Sequence, residues 1–189
     1  LLLGLYDVAK KDAVRKNGVL EVLLLATGFS TLLLSPVLFS FPGGTLHLHL
    51  KLVFKSMLVT ASWICGIVAL KHLPLTTVGI VKASRPVFVL LGCLLIFGER
   101  LNLTQWAGVV TAVVALYLLS RSSREEGIVF SGNKWVWCLF GAVAFGVVSA
   151  LFDKYLMRNV NPLFVQSWCD FYITAILALI VALRRKYLR

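Results

Sequence analysis

The stretch Val22–Phe41, VLLLATGFSTLLLSPVLFSF, runs for twenty residues without a charged side chain. That is the length of apolar helix needed to cross the hydrocarbon core of a bilayer. Its borders punctuate it clearly. Pro42-Gly43-Gly44 breaks the helix on one side, Pro36 is placed to kink it near that end, and Lys10, Lys11, Arg15 and Lys16 lie ahead of it on the other. Outward from this run the same pattern repeats. Leu1 to about Lys10 reads as the tail of a first helix, and Leu52–Leu70 as a third, with Lys55 and Lys71 placed to snorkel outward. The segment Thr45–Lys51 reads as a short amphipathic connector carrying His47 and His49 on the surface. Pro74–Phe97 is a fourth helix, Thr104–Leu119 a fifth, Trp135–Met157 a sixth and Pro162–Leu183 a seventh. Lipid offers the backbone no hydrogen-bond partners, and nothing alternates as a barrel strand would, so these runs are helices.

Composition agrees. The 189 residues are 59% hydrophobic and only 14% charged, with a mean hydropathy of +0.90. A soluble domain carries about 25% charged residues, so this chain has too little polar surface to face water all round. The net charge of +11 sits at helix ends, as in the Arg184-Arg185-Lys186 cluster. Membrane proteins keep positive charge there to fix orientation, and the pattern excludes nucleic acid as a partner. Cys65, Cys93, Cys138 and Cys169 all fall inside apolar runs without metal-ligand spacing, so they read as packing residues; no metal and no cofactor is expected. Small residues recur every third or fourth position, as Ala142, Gly146 and Ala150 in the sixth helix and Gly108, Ala112 and Ala115 in the fifth. Such faces let neighbouring backbones approach closely. The expected architecture is an all-α polytopic transmembrane bundle of about seven helices.

An internal repeat lies within it. Leu5-Tyr6-Asp7 is echoed by Leu151-Phe152-Asp153, and each is followed by a basic, Asn-containing turn and a new apolar helix. Five helices separate the copies, so the second enters the bilayer from the opposite face, an arrangement common among transporters. The expected units are residues 1–120 as a first repeat, 121–134 as a polar linker, and 135–189 as the first two helices of a second repeat. The start of the first helix and three further helices are expected beyond the two ends.

One region is specific enough to carry a family resemblance. It runs from Ala69-Leu70-Lys71-His72-Leu73-Pro74 through Ala83-Ser84-Arg85-Pro86-Val87-Phe88 to Phe97-Gly98-Glu99-Arg100-Leu101 and Gln105-Trp106-Ala107-Gly108. A mid-helix proline followed by Val-Phe, then Gly-Glu-Arg-Leu, then Gln-Trp-x-Gly resembles the EamA family of the drug/metabolite transporter superfamily. That resemblance implies ten helices in two five-helix halves, alternating access, and transport of a small organic metabolite across the plasma (inner) membrane.

Charged groups inside the apolar runs are the candidate site residues, because each costs about 2.5–3.5 kcal/mol to insert at a helix centre. Lys82 and Arg85 lie three apart, on one face of the fourth helix. They read as contacts for an anionic substrate, as members of ion pairs, or as snorkelling side chains. Ile80-Val81-Lys82-Ala83 with Pro86 and Phe88 is also similar to a helix of the triose-phosphate translocators, where the matching lysine helps hold phosphate. This implication reaches Lys82 alone, since Arg85 stands where those relatives usually have an acid. Asp170, about two turns into the seventh helix, reads as a partner for Lys82 or Arg85, as a proton- or substrate-handling group, or as an interfacial residue. Trp63, in the middle of the third helix, either lines a cavity or packs. Asp7, Asp153 and Glu99 read as architectural.

No His-Glu-x-x-His, Gly-x-Ser-x-Gly or Gly-rich phosphate loop is present, which argues against an enzyme or an ATP-driven pump. The remaining alternative is a non-catalytic membrane scaffold or lipid-interacting helix bundle. Orientation receives two opposed expectations. The loops after helices one, three, five and seven hold about 12 basic residues against about 5 on the other side, which places them in the cytoplasm by the positive-inside bias. The family's arrangement implies the reverse. Single cysteines at Ser123 and Asn102, in a background lacking the native four, separate these with an impermeant thiol reagent on intact cells. The charge count predicts labelling at Asn102 and protection at Ser123, and the opposite result overturns it.

Overall fold

The computed structural model describes residues 2–40, 43–98, 100–124 and 134–187, and every regular element among them is helical. In chain order these are α1 (Leu2–Lys16), α2 (Val19–Ser40), α3 (Leu46–His72), α4 (Leu75–Ala83), α5 (Arg85–Phe97), α6 (Leu103–Arg124), α7 (Lys134–Met157) and α8 (Pro162–Tyr187). α4 and α5 form one apolar span, Leu75–Phe97, so eight helical segments make seven helices in sequence. Five are long and apolar enough to cross a membrane: α2, α3, α4–α5, α7 and α8. The apolar part of α6, Leu103–Leu118, is shorter.

The helix ends follow from local chemistry. Gly98 closes α5 in the left-handed conformation (φ 62°), which costs glycine nothing. Asn102 then opens α6 as a capping pair with Gln105. The Asn102 side chain accepts from the Leu103 amide at 3.2 Å, and Gln105 Oε1 accepts from the Asn102 amide at 2.9 Å. Asn161 caps α8, accepting from the Leu163 amide, with Pro162 in the first turn where it needs no donor. Pro36, inside α2, removes the bond its own amide would have made to the Leu32 carbonyl. The Ser35 hydroxyl donates to that carbonyl instead, at 2.7 Å.

The frame is the antiparallel packing of α3 on α7. Ring and hydrogen-bond contacts run along it in steady register: His72 stacks on Trp135, Cys138 Sγ donates to the Cys65 carbonyl, and Ser62 Oγ donates to the Ala142 carbonyl at 2.6 Å. Gly66 faces Ala142 at this level, so the two backbones approach closely. α8 covers the other flank of α3 and pairs with α2, where Thr31 and Thr174 share a hydrogen bond of 2.8 Å. Three apolar clusters fill the interior. One gathers Leu70, Val78 and Leu139 near the end of α3, a second Leu23, Ile67 and Ile173, and a third Leu52, Leu156 and Val165 near the start of α3. Large apolar side chains such as Leu25, Phe39 and Leu95 point outward, as lipid-facing residues do.

Several expectations change. The segment Thr45–Lys51 is not a connector, because α3 begins at Leu46 and absorbs it. His49 consequently turns inward, accepts or donates at 2.9 Å to the Tyr172 hydroxyl, and lies edge-on to Trp168. Lys55 does not snorkel. It is 2% exposed and ion-paired with Asp153 of α7, a carboxylate that the neighbouring helix brings to an otherwise uncompensated buried charge. The small face of α6, Gly108, Ala112 and Ala115, is exposed and not closely packed; Gly108 and Ala112 border a hollow of about 250 Å³ facing Pro86, Val87 and Leu90 of α5. α6 also runs on to Arg124, into the stretch expected as linker, and residues 125–133 lie outside those described.

The Lys55–Asp153 pair yields a graded prediction. Removing one member of a fully buried pair costs about 3–5 kcal/mol. Asp153 is 31% exposed, so Asp153→Asn, which strands the ammonium, is expected to cost about 2–3 kcal/mol. Lys55→Met removes the buried charge and keeps its stem, at a cost within about 1 kcal/mol. Thermal unfolding in detergent micelles measures both, and a larger loss for Lys55→Met would contradict the assignment of Lys55 as the buried, dependent partner.

Candidate functional site

α4 and α5 meet at Ser84, inside the bilayer-length span. Pro86 has no amide hydrogen, so it cannot bond back to the Lys82 carbonyl, and the ladder is interrupted one turn before it. Ser84 bridges the gap: its hydroxyl donates to the Val81 carbonyl at 2.7 Å, and its own carbonyl accepts from the Val87 and Phe88 amides. Its helical φ and ψ (−74°, −19°) keep both halves on a continuous course. Lys82 and Arg85 flank this break, on the last turn of α4 and the first residue of α5.

Both side chains border a cavity of about 570 Å³ between α1, α3, α4–α5 and α7. Lys10 of α1 and Ser62 and Trp63 of α3 join them in its wall. Gly66, Ile67, Ala142 and Val143 supply an apolar surface. Lys10 Nζ sits 5.9 Å from the Trp63 ring centroid, a cation–π contact. Arg85 reaches across to α7 and donates from Nη2 to the Gly146 carbonyl at 2.8 Å. This seat needs glycine: a Cβ on Gly146 would stand 3.0 Å from both Cζ and Nε of Arg85 and 3.1 Å from Ser62 Oγ. Arg85 also borders a shallower hollow of about 370 Å³ beside Cys93 and Lys154, which has a mostly apolar wall.

Three cations therefore meet at one cavity, and no acidic side chain lines it among the described residues. Arg85 has no carboxylate within ion-pair distance among those residues; its hydrogen bond is to a neutral carbonyl. The side chain of Asp7, one turn before Lys10, lies outside the described residues, as does Glu99.

Of the four site residues expected from sequence, the cavity brings together Lys82, Arg85 and Trp63. Asp170 stands elsewhere, buried between α2 and α8. Its carboxylate accepts from Ser30 Oγ at 3.0 Å and from Gln166 Nε2 at 3.1 Å, and its carbonyl accepts from Thr31. Sequence reasoning passed over Lys10, because the first helix was ended there, whereas α1 continues to Lys16 and carries Lys10 within its length. It also passed over Gly146 as an arginine seat. The repeat of small residues was visible, but a packing role explained it fully.

The sequence of residues 1–121 matches the family model of the EamA-like transporter family. The chain belongs to that family. No curated protein and no solved structure matches it. An EamA-like chain is a multi-pass membrane protein of a family that moves small molecules across membranes, a family of transporters and not of enzymes. The match takes in α1 to α5 and most of α6, and thus Lys10, Trp63, Lys82 and Arg85.

Gly146→Ala is expected to leave the bundle folded, since the far end of the arginine can move aside, while prising the guanidinium from its carbonyl. Modification of Arg85 by a dicarbonyl reagent, read by peptide mass, should rise several-fold over the parent. Gly28 and Gly79 have open space around them, so Gly28→Ala and Gly79→Ala should leave Arg85 reactivity unchanged and raise stability by about 0.5–1 kcal/mol each. Equal Arg85 reactivity in Gly146→Ala and the parent would show that the seat does not hold it.

Proposed function

We propose that the chain transports a small anionic organic metabolite across the plasma membrane by alternating access, with the cavity beside the α4–α5 break as its binding site. The observation that carries this reading is the convergence of Lys10, Lys82 and Arg85 on one cavity in which, among the described residues, Arg85 is held by a backbone carbonyl and not by a carboxylate. A guanidinium in that state keeps donors for a carboxylate or phosphate, which it binds in a planar fork. At an effective dielectric of about 20, an anion ~4 Å from one such cation gains about 4 kcal/mol. Such a gain at Arg85 offsets a large part of the desolvation of a singly charged solute. Trp63 and the apolar wall formed with α7 suit the carbon skeleton of such a solute.

The interrupted helix supports the same reading. Transporters commonly place substrate where a spanning helix is discontinuous, near the level at which repeated halves meet. α2 and α8, the second helices of the two copies read from sequence, pack on one another here. In this reading Asp170 acts by holding α2 to α8 through Ser30 and Gln166, so its part in transport is positional.

Counterflow of labelled solutes in proteoliposomes tests the proposal. Anionic candidates should exchange and neutral analogues should not. Arg85→Leu and Lys82→Leu should each lower exchange about a hundredfold, the equivalent of a charge-assisted hydrogen bond of ~3 kcal/mol, with helical content unchanged. Arg85→Lys should keep part of the activity. Normal exchange by both leucine variants would remove these residues from the site. Restoration of Lys82→Leu by Asp170→Asn would show instead that the two charges balance one another.

A further inference from the structure

At the membrane side where α3 and α8 begin and α5 and α7 end, a further concavity opens on the outer face of the bundle. It encloses about 550 Å³ between α3, α5 and α7, with a wall formed by Ile96, Phe97, Val148, Leu151 and Phe152. The surroundings are exposed and apolar: Leu95, Ile96, Val148 and Phe54 are all more than half or nearly half uncovered. A groove of this composition, on a helix face of bilayer length, is continuous with the hydrocarbon of the membrane.

Its mouth is basic and aromatic. Lys51 lines it, with Nζ 5.1 Å from the Tyr155 ring centroid and 3.4 Å from the Tyr155 hydroxyl. Arg158 lies 4.5 Å from the centroid of Phe97, and Lys154 lies 5.5 Å from the same ring. The nearby carboxylate of Asp153 is engaged by Lys55, and neither Lys51 nor Arg158 has an acidic partner among the described residues. Aromatic rings hold Lys51 and Arg158 in place without neutralising them. Fixed cations at headgroup level above an apolar trough form the complement of one amphiphile.

We propose that this groove binds an anionic phospholipid of the surrounding bilayer, its phosphate between Lys51 and Arg158 and one acyl chain against Ile96, Val148 and Leu151. The site is separate from the transport cavity and does not depend on what that cavity carries. The choice of a lipid over a soluble phosphate rests on the trough, which a small hydrophilic anion would leave unfilled.

Native mass spectrometry of the purified full chain, exchanged into mixed micelles with phosphatidylglycerol or phosphatidylcholine, measures the site. The parent should retain one phosphatidylglycerol in preference to phosphatidylcholine. Each removed cation should weaken that preference about fivefold, so that Lys51→Ala with Arg158→Ala nearly abolishes it. Val148→Trp fills the trough without altering charge, and should also displace the lipid while leaving helical content and the thermal midpoint near the parent's. Equal retention of the two lipids by the parent would overturn the proposal, as would unchanged retention in Val148→Trp. Competition by inorganic phosphate at millimolar concentration, as effective as added phosphatidylglycerol, would assign the cations to a soluble anion and overturn it likewise.

Discussion

α3 and α7 lie close enough for a serine hydroxyl on one to reach a backbone carbonyl on the other, and this proximity is set by what is missing from their side chains. Gly66 and Ala142 leave no bulk between the two axes, and Gly146 leaves room for a guanidinium arriving from a third helix. Van der Waals packing and polar contacts are what hold helices together in lipid, where apolar burial alone gives little preference for protein over hydrocarbon. The seam supplies both. From it follow the position of α8 on one flank, the α5 approach on the other, and a cavity bounded by the same two helices.

The same medium accounts for the way polar groups are used. A carbonyl released by proline has no water to turn to: at Pro36 the hydroxyl of the preceding serine takes the freed Leu32 carbonyl, and at the α4–α5 break the Ser84 hydroxyl adds a bond to the Val81 carbonyl, next to the one Pro86 leaves open. Ser62 and Arg85 act similarly between helices, each donating a hydrogen bond to a carbonyl of α7. The bundle thus joins its members largely through backbone acceptors, which helices always present. Two of the described carboxylates, Asp153 and Asp170, also join helices, through Lys55 and through Ser30.

Hydropathy made the helices legible because bilayer thickness fixes their length, and the runs at Val22–Phe41 and Trp135–Met157 correspond closely to α2 and α7. The ends were less legible. Thr45–Lys51 contains two histidines and a lysine, so it reads as an amphipathic surface connector, yet His49 finds Tyr172 and Trp168 on a helix about 120 residues further along the chain. A local pattern cannot anticipate a partner so remote. The candidate site was legible in Lys82 and Arg85, since charge inside an apolar run is conspicuous, and in Trp63 through its mid-helix position. The carbonyl seat at Gly146 was not, because backbone acceptors carry no signature in sequence. Lys55 and Asp153 could have been matched, as each lies a few residues inside an apolar run on the same membrane side.

That pair has a consequence in time. Lys55 enters the membrane when α3 is made, and its partner is synthesised roughly 100 residues later, a delay of about 5–20 s at ordinary elongation rates. During that interval no carboxylate of α7 exists to meet the ammonium. The insertion machinery therefore meets Lys55 as a flanking charge and the finished protein holds it as an interior one. The pair forms only once α7 is in place, so its charge balance belongs to the assembled bundle and not to α3 alone.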